Sequence, residues 1–144
     1  MKKEILPAVA AAIFNEKGEI LLQRRKDVGK WCVISGHVEF GETVEEAILR
    51  EIWEETNTTA DILRLIGVYS APSSQTYNYS QKTIQYITCY FEARFKQEID
   101  CTYTNNETQE LRFFPTHAIP NDLAQINPHW LKDALRKNAD AYVR

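Results

Sequence analysis

No stretch of this sequence stays apolar for the roughly 18 residues a helix needs to cross a bilayer, so membrane insertion is not expected. Repeats, low-complexity tracts and Pro/Gly-rich linkers are also missing. Five Gly and five Pro are scattered over 144 residues, and residues 1–144 read as a single domain able to bury a core of its own. Basic runs are lacking and the formal net charge is −3, which gives bulk nucleic-acid binding no support. Cysteine is scarce: Cys32, Cys89 and Cys101 are odd in number, far apart and without a CxxC pair. They build neither a disulfide framework nor a zinc site, and read as reduced thiols of a cytoplasmic protein. A secretory leader is only faintly imitated. In MKKEILPAVAAAIF two lysines precede an apolar stretch, but Glu4 and Pro7 interrupt it and NEKGEILLQRR follows. A hairpin with EKG at its tip accounts for both halves, a cleaved leader only for the first.

What is present begins with strand patterns. Strands are predicted over 6–14 and 19–25, then a loop around DVGKWCVISG and a helix over 44–56. DILRLIGVYSA and TIQYITCYFEARF read as strands separated by a polar loop, PSSQTYNYSQ. ELRFFP reads as a short strand and NPHWLKDALRKNA as a closing helix. Strands and helices mix without the regular alternation of a doubly wound sheet, which implies an α+β or layered α/β domain with a mixed sheet.

Charge of one sign is concentrated in a single place. GHVEFGETVEEAILREIWEETN, residues 36–57, holds seven Glu among 22 residues and only one fixed cation, Arg50. Like charges at helical neighbour spacing cost about 0.2–0.5 kcal/mol per pair unless something offsets them. Thr43 and Glu46 form a capping-box pattern that starts the helix at Val44. Ile48, Leu49, Ile52 and Trp53 fall on one arc able to pack on a sheet, while Glu46 and Arg50 face away as a possible surface pair. Glu51, Glu54 and Glu55 converge on the neighbouring arc, with small Ala47 beneath. Most acidic helix faces are simply solvated. Here, however, Glu51 is answered four residues on by Glu55 and not by Lys or Arg, and the carboxylates adjoin the apolar arc and a glycine-bearing loop. Both a solvated face and a metal site stay open on spacing alone; hard oxygen ligands would suit Mg²⁺ or Mn²⁺.

These residues fit a longer pattern: Gly36, five residues, Glu42, seven residues, then Arg50-Glu51-Ile52-Trp53-Glu54-Glu55. This resembles the box of the Nudix hydrolases. ILLQRR ahead of it and Trp31 shortly before Gly36 are similar to MutT-like members. Two departures stand out. Asn57 and Thr58 occupy places where that family usually has a glycine and a bulky aliphatic residue, and Ile34-Ser35-Gly36 stands for its Pro-Gly-Gly. Asn accepts a left-handed backbone, so the helix stop is expected to survive.

The resemblance implies a Nudix fold, a mixed β-sheet sandwiched between helices, and metal-dependent hydrolysis of a nucleoside diphosphate linked to another group. It implies Glu51 and Glu55 as ligands of Mg²⁺ or Mn²⁺, Glu54 as a ligand directly or through water, and the Gly36 carbonyl completing the shell. Glu42 and Arg50 would brace loop against helix. For the general base it points to the segment NNETQELRFF, with Glu107 first and Glu110 second, or to Glu51 itself. For the substrate it points to Arg25 on a phosphate and Asn127 on a base edge. Surface charge and a helix N-cap are the alternatives for those two residues. Trp31, Tyr77, Tyr79 and Phe113 are candidates to stack on a base, with the protein core as the alternative. His37 and His117 have no partners at ligand spacing and receive no role. The implied substrate is a small nucleotide, most simply a nucleoside triphosphate, handled by a monomer or homodimer. ADP-ribose, dinucleotides, RNA 5′ ends and a non-hydrolytic nucleotide sensor are the alternatives.

Overall fold

The computed structural model describes residues 1–137 and 140–144. Strand β1 (Lys2–Ile13) pairs in parallel along its full length with strand β7 (Lys82–Phe95), from Lys82 to Ala93. Ala8–Ile13 is buried without a break because both faces of the sheet are covered there. Alternation along β1 sends Val9, Ala11 and Ile13 into one core cluster and Ala10 and Ala12 into another. Around this pair the large sheet adds β4 (Ile34–His37), β5 (Ala60–Tyr69), β6 (Thr76–Asn78) and β9 (Tyr142–Val143), in the order β4-β1-β7-β5-β9 with β6 on β7. Parallel and antiparallel pairings coexist in it, so the sheet is mixed. A small antiparallel sheet, β3-β2-β8, comprises Trp31–Cys32, Ile20–Arg25 and Thr108–Phe114. Helix α1 (Val44–Thr56) buries Ile48 and Ile52 in the first cluster; helix α3 (Trp130–Leu135) buries Trp130 and Ala134 in the second. Helices thus cover both faces of the large sheet. Among the described residues no helix is long and apolar enough to cross a membrane.

Helix α1 occupies the predicted 44–56. Thr43 Oγ1 accepts from the Glu46 N–H at 3.1 Å, and Glu46 Oε1 accepts from the Thr43 N–H at 2.9 Å. Asn57 ends the helix in the left-handed region (φ 56°) and donates its N–H to the Trp53 carbonyl. Several expectations need correction. Trp53 is 50% exposed; the buried arc is turned toward Ala47, Glu51 and Glu55, which lie under the sheet and β8. The expected loop 27–36 contains β3 and β4, because Trp31–Ile34 are buried and pair with β2 and β1. The expected polar loop 72–81 holds the short helix α2 (Pro72–Gln75) and β6. The closing helix is shorter than NPHWLKDALRKNA, and Asn138 and Ala139 lie outside the described residues.

Candidate active site

Helix α1 presents Glu51, Glu54 and Glu55 so that one carboxylate oxygen from each lies within 4.8 Å of the others. Three and four residues of spacing put them on one face, one turn apart. Their environments differ. Glu54 is exposed, whereas Glu51 is buried and Glu55 is only 2% exposed. Burial pushes both inner carboxyls above the usual range, Glu55 to about 7, where the neighbouring Glu107 carboxyl adds to the effect. For Glu51 the Arg50 guanidinium partly offsets that burial.

Arg50 is the local counter-charge and no partner of Glu46. It grips Glu42 through two bonds, Nε to Oε2 at 2.7 Å and Nη2 to Oε1 at 3.0 Å. Its Nη1 donates to Glu51 at 2.9 Å and to Glu54 at 3.2 Å, and its Nη2 to the His37 carbonyl at 3.0 Å. One guanidinium therefore ties strand β4, the 38–43 loop and two of the three clustered carboxylates together. Sequence reasoning foresaw its pairing with Glu42 and missed its contacts with Glu51 and Glu54. Gly36 approaches from β4 so closely that a Cβ on it would lie 2.1 Å from Glu51 Cδ. Its φ is not in the left-handed region, so glycine is required here for space and not for conformation.

Strand β8 closes the far side. Glu107, just before it, lies close enough to Glu55 for the two carboxyls to interact and raise the Glu55 pKa. Glu110 instead pairs with Arg112. Thr108, fully buried and absent from the sequence reading, sits between Gln23 Oε1 (2.9 Å) and Glu55 Oε2 in a short contact. A hydroxyl has one proton and cannot serve two acceptors. Its single proton serves one of the two at a time, and when given to Glu55 it favours the ionised carboxylate. Burial outweighs that effect and leaves the Glu55 pKa raised.

Beside the cluster lies a cavity of about 410 Å³ reaching from Arg25 and Gly36 to Gln75 and Trp130. Small Ala8 and Ala10 on one face of β1 leave room for it, and its aromatic wall is His37, Tyr77, Tyr79 and Tyr86. The rings of His37 and Tyr86 stack at 5.3 Å, and Tyr77 meets Tyr86 edge-on at 5.4 Å. His37 Nε2 lies 3.1 Å from the Tyr86 hydroxyl, which is 3.3 Å from that of Tyr79.

Of the residues expected to touch substrate, Arg25 lines the cavity, held by Asp27 through bonds of 3.1 and 3.0 Å. Tyr77 and Tyr79 line it as well. Trp31 does not. It is 4% exposed, with Phe114 edge-on at 5.0 Å and the Arg112 guanidinium 5.4 Å from its ring centre, so its faces are taken by the protein. Phe113 packs against the core. Asn127 is buried, accepting from the His129 N–H at 2.8 Å and donating to Ser74 Oγ at 3.4 Å. It makes a turn two residues ahead of His129, which itself caps α3. Its polar atoms are thus spent on the fold and not on the cavity. Tyr86, Thr88 and Tyr90 were missed, yet alternation in YITCY sets them on one face of β7. His37 belongs to the wall, and no spacing rule would have found it.

A mixed sheet between helices, with convergent carboxylates at a strand–loop–helix junction and an aromatic cavity alongside, defines an α+β protein equipped to hold a cation and a planar ligand together. The profile of the NUDIX domain family matches residues 4–134, and the chain belongs to that family. Over 63 residues it is 48% identical to a Bacillus subtilis (strain 168) protein provisionally named 8-oxo-dGTP diphosphatase, covering 44% of this chain and 42% of that one. Over 70 residues it is 47% identical to an ADP-ribose pyrophosphatase of Methanocaldococcus jannaschii, covering 46% of this chain and 41% of that one. The chain therefore spans less than half the length of these relatives. The crystal structure of an ADP-ribose pyrophosphatase from Streptococcus suis 89-1591 superposes with a TM-score of 0.75 at 20% identity, covering 96% of this chain and 97% of that one, a likeness of fold.

Proposed function

We propose that this chain hydrolyses a pyrophosphate linkage in a small nucleotide, a nucleoside diphosphate joined to another group, with a divalent cation held by α1. The observation that carries this reading is the convergence of Glu51, Glu54 and Glu55 within 4.8 Å beside a cavity of ligand size. The cluster's donors are all carboxylate oxygens, a hard set that fits Mg²⁺ or Mn²⁺. Glu51, Glu54 and Glu55, with the Gly36 carbonyl, would hold the cation. Such a cation supplies charge neutralisation on the phosphates and lowers the pKa of a bound water.

The chain's own groups divide the remaining work. Arg50, anchored on Glu42, keeps Glu51 and Glu54 oriented. Arg25 faces the cavity and can take a phosphate oxygen in exchange for Asp27. Glu107, beside Glu55, is placed to accept a proton from the attacking water, with Glu51 as the alternative. A nucleoside triphosphate yielding the monophosphate and pyrophosphate is the simplest substrate. The three free thiols, with Cys32 pushed up to about 11 by burial, suit a reducing cytoplasm, and a monomer or homodimer suffices for the site.

The test is phosphate and pyrophosphate release from canonical and oxidised nucleoside triphosphates, ADP-ribose, NADH, diadenosine polyphosphates and triphosphorylated RNA. Added phosphatase reveals cleavage of ADP-ribose and the dinucleotides. The expected result is turnover of at least one compound with Mg²⁺ or Mn²⁺, abolished by EDTA and restored by excess metal. Turnover indifferent to EDTA would refute the reading, and metal-dependent binding without turnover on any compound would favour a nucleotide sensor. A second prediction separates base from ligand: Glu107→Gln lowers kcat far more than it changes the Mn²⁺ affinity measured by titration. Unchanged kinetics would transfer the role to Glu51.

A further inference from the structure

The far end of the cavity presents an acceptor that no side chain among the described residues engages. Gln75, at the end of α2, is 7% exposed and lines the cavity. Its Nε2 donates to Thr88 Oγ1 at 2.8 Å and to the Tyr86 carbonyl at 3.4 Å. A backbone carbonyl only accepts, so the amide nitrogen must face Tyr86 and the orientation of the group is fixed. Oε1 is left pointing the other way, with no partner among the described residues. Unlike the Arg64 Nη1 atom, it is not sealed off in the core; it has access to the cavity. An acceptor that opens onto a cavity while its own amide nitrogen is anchored is available to a donor on a ligand held there. The surrounding hydroxyls do not fill it: Tyr77 donates to the Gln125 carbonyl at 2.9 Å, and those of Tyr86 and Tyr79 are engaged with His37 and each other.

We propose that Gln75 Oε1 reads the base of the substrate, accepting a hydrogen bond from a ring N–H or exocyclic amino group of a planar heterocycle lying along the Tyr77–Tyr86–His37 wall. This deepens the proposed function and rests on it for the phosphates: Gly36 and Arg25 line the near end, so a base at Gln75 directs its phosphates toward Glu51. The substrate class is then a nucleotide whose base bears a donor at the Gln75 edge, and a base lacking that donor leaves the acceptor stranded.

Nucleoside monophosphates test this without any anhydride to cleave, so the result is independent of hydrolysis. Calorimetric Kd values would be compared for each base and its donor-deleted analogue. The pairs are AMP with purine riboside 5′-monophosphate, GMP with IMP and with N1-methyl-GMP, CMP with 2-pyrimidinone riboside 5′-monophosphate, and UMP with N3-methyl-UMP. In the wild type at least one pair is expected to differ by about 10- to 100-fold in favour of the donor. Gln75→Leu should erase that difference while binding of the analogue stays unchanged. No difference within any wild-type pair, or a difference that survives Gln75→Leu, would overturn the proposal. Should Gln75→Leu fail to fold by circular dichroism, Thr88→Val frees the amide from its anchor and should shrink the same difference; an undiminished difference there counts against the proposal. Absence of turnover in the hydrolysis panel, with the pair difference intact, would sink the enzymatic reading alone.

Discussion

Glu55→Gln is expected to lower turnover by roughly 10²- to 10³-fold, the scale of losing several kcal/mol of charge stabilisation, and at the same time to stabilise the metal-free protein at alkaline pH. The two effects share one cause. Glu55 is 2% exposed, and burial raises its pKa from 4.5 to about 7. A carboxyl whose folded-state pKa is raised binds more protons in the folded than in the unfolded chain between those two values. Its stabilisation is complete below about 4.5 and is lost as pH rises through 7. The melting temperature of the EDTA-treated wild type should therefore fall between pH 5 and 8. Glutamine has the shape of the protonated acid without the charge that burial disfavours, and its amide oxygen can still accept from Thr108. The variant should melt with little pH dependence across that range and above the wild type at pH 8. Added Mg²⁺ should raise the melting temperature of the wild type at pH 8 and have little effect on the variant. Near-normal turnover, or an equal response to Mg²⁺, would remove Glu55 from the cation site.

Gly36→Ala should fold and yet lose about 10²-fold in kcat/KM, the loss expected from displacing a reacting group by an ångström. A Cβ at this position would lie 2.1 Å from Glu51 Cδ and 2.3 and 2.6 Å from its two oxygens. Ordinary carbon contacts need about 3.5 Å, so the carboxylate must retreat by more than an ångström. It is the end of a flexible side chain and can move, and the backbone at Gly36 suits any residue. The stability cost should be small. Denaturation midpoints close to wild type together with the rate loss would locate the effect at Glu51. Wild-type rates would mean that the Glu51 carboxylate does not need the position it has here.

The acidic helix shows what kind of information each level holds. Its start, its end and the convergence of its carboxylates were legible, because capping and 3.6-residue periodicity are local rules. Arg50 was read as one half of a brace with Glu42, and it is also bonded to Glu51 and Glu54. That contact depends on how the 38–43 loop folds back over the helix, which no spacing encodes. Trp53 was assigned to the packed arc and is half exposed, since the position of the sheet, not the hydrophobicity of the side chain, chooses the buried face.

The substrate end was far less legible. Trp31 is a candidate for its aromatic ring and Asn127 by resemblance, and the protein uses the first in packing and the second in a turn. The residues that do line the cavity come from every strand from β1 through β7 and from α2 and α3, between Ala8 and Trp130 along the chain. By itself, then, the sequence determined an acidic capped helix, a glycine beside it and a mixed α+β fold, because these follow from short-range periodicity and a fixed motif spacing. Only the tertiary structure decided which carboxyl is buried enough to hold its proton near neutrality, which arginine faces the cavity, and that the Gln75 amide is anchored through its nitrogen at the cavity wall. Burial and hydrogen-bond satisfaction are properties of what the whole chain brings together around an atom, and neither is written in that atom's neighbours along the sequence.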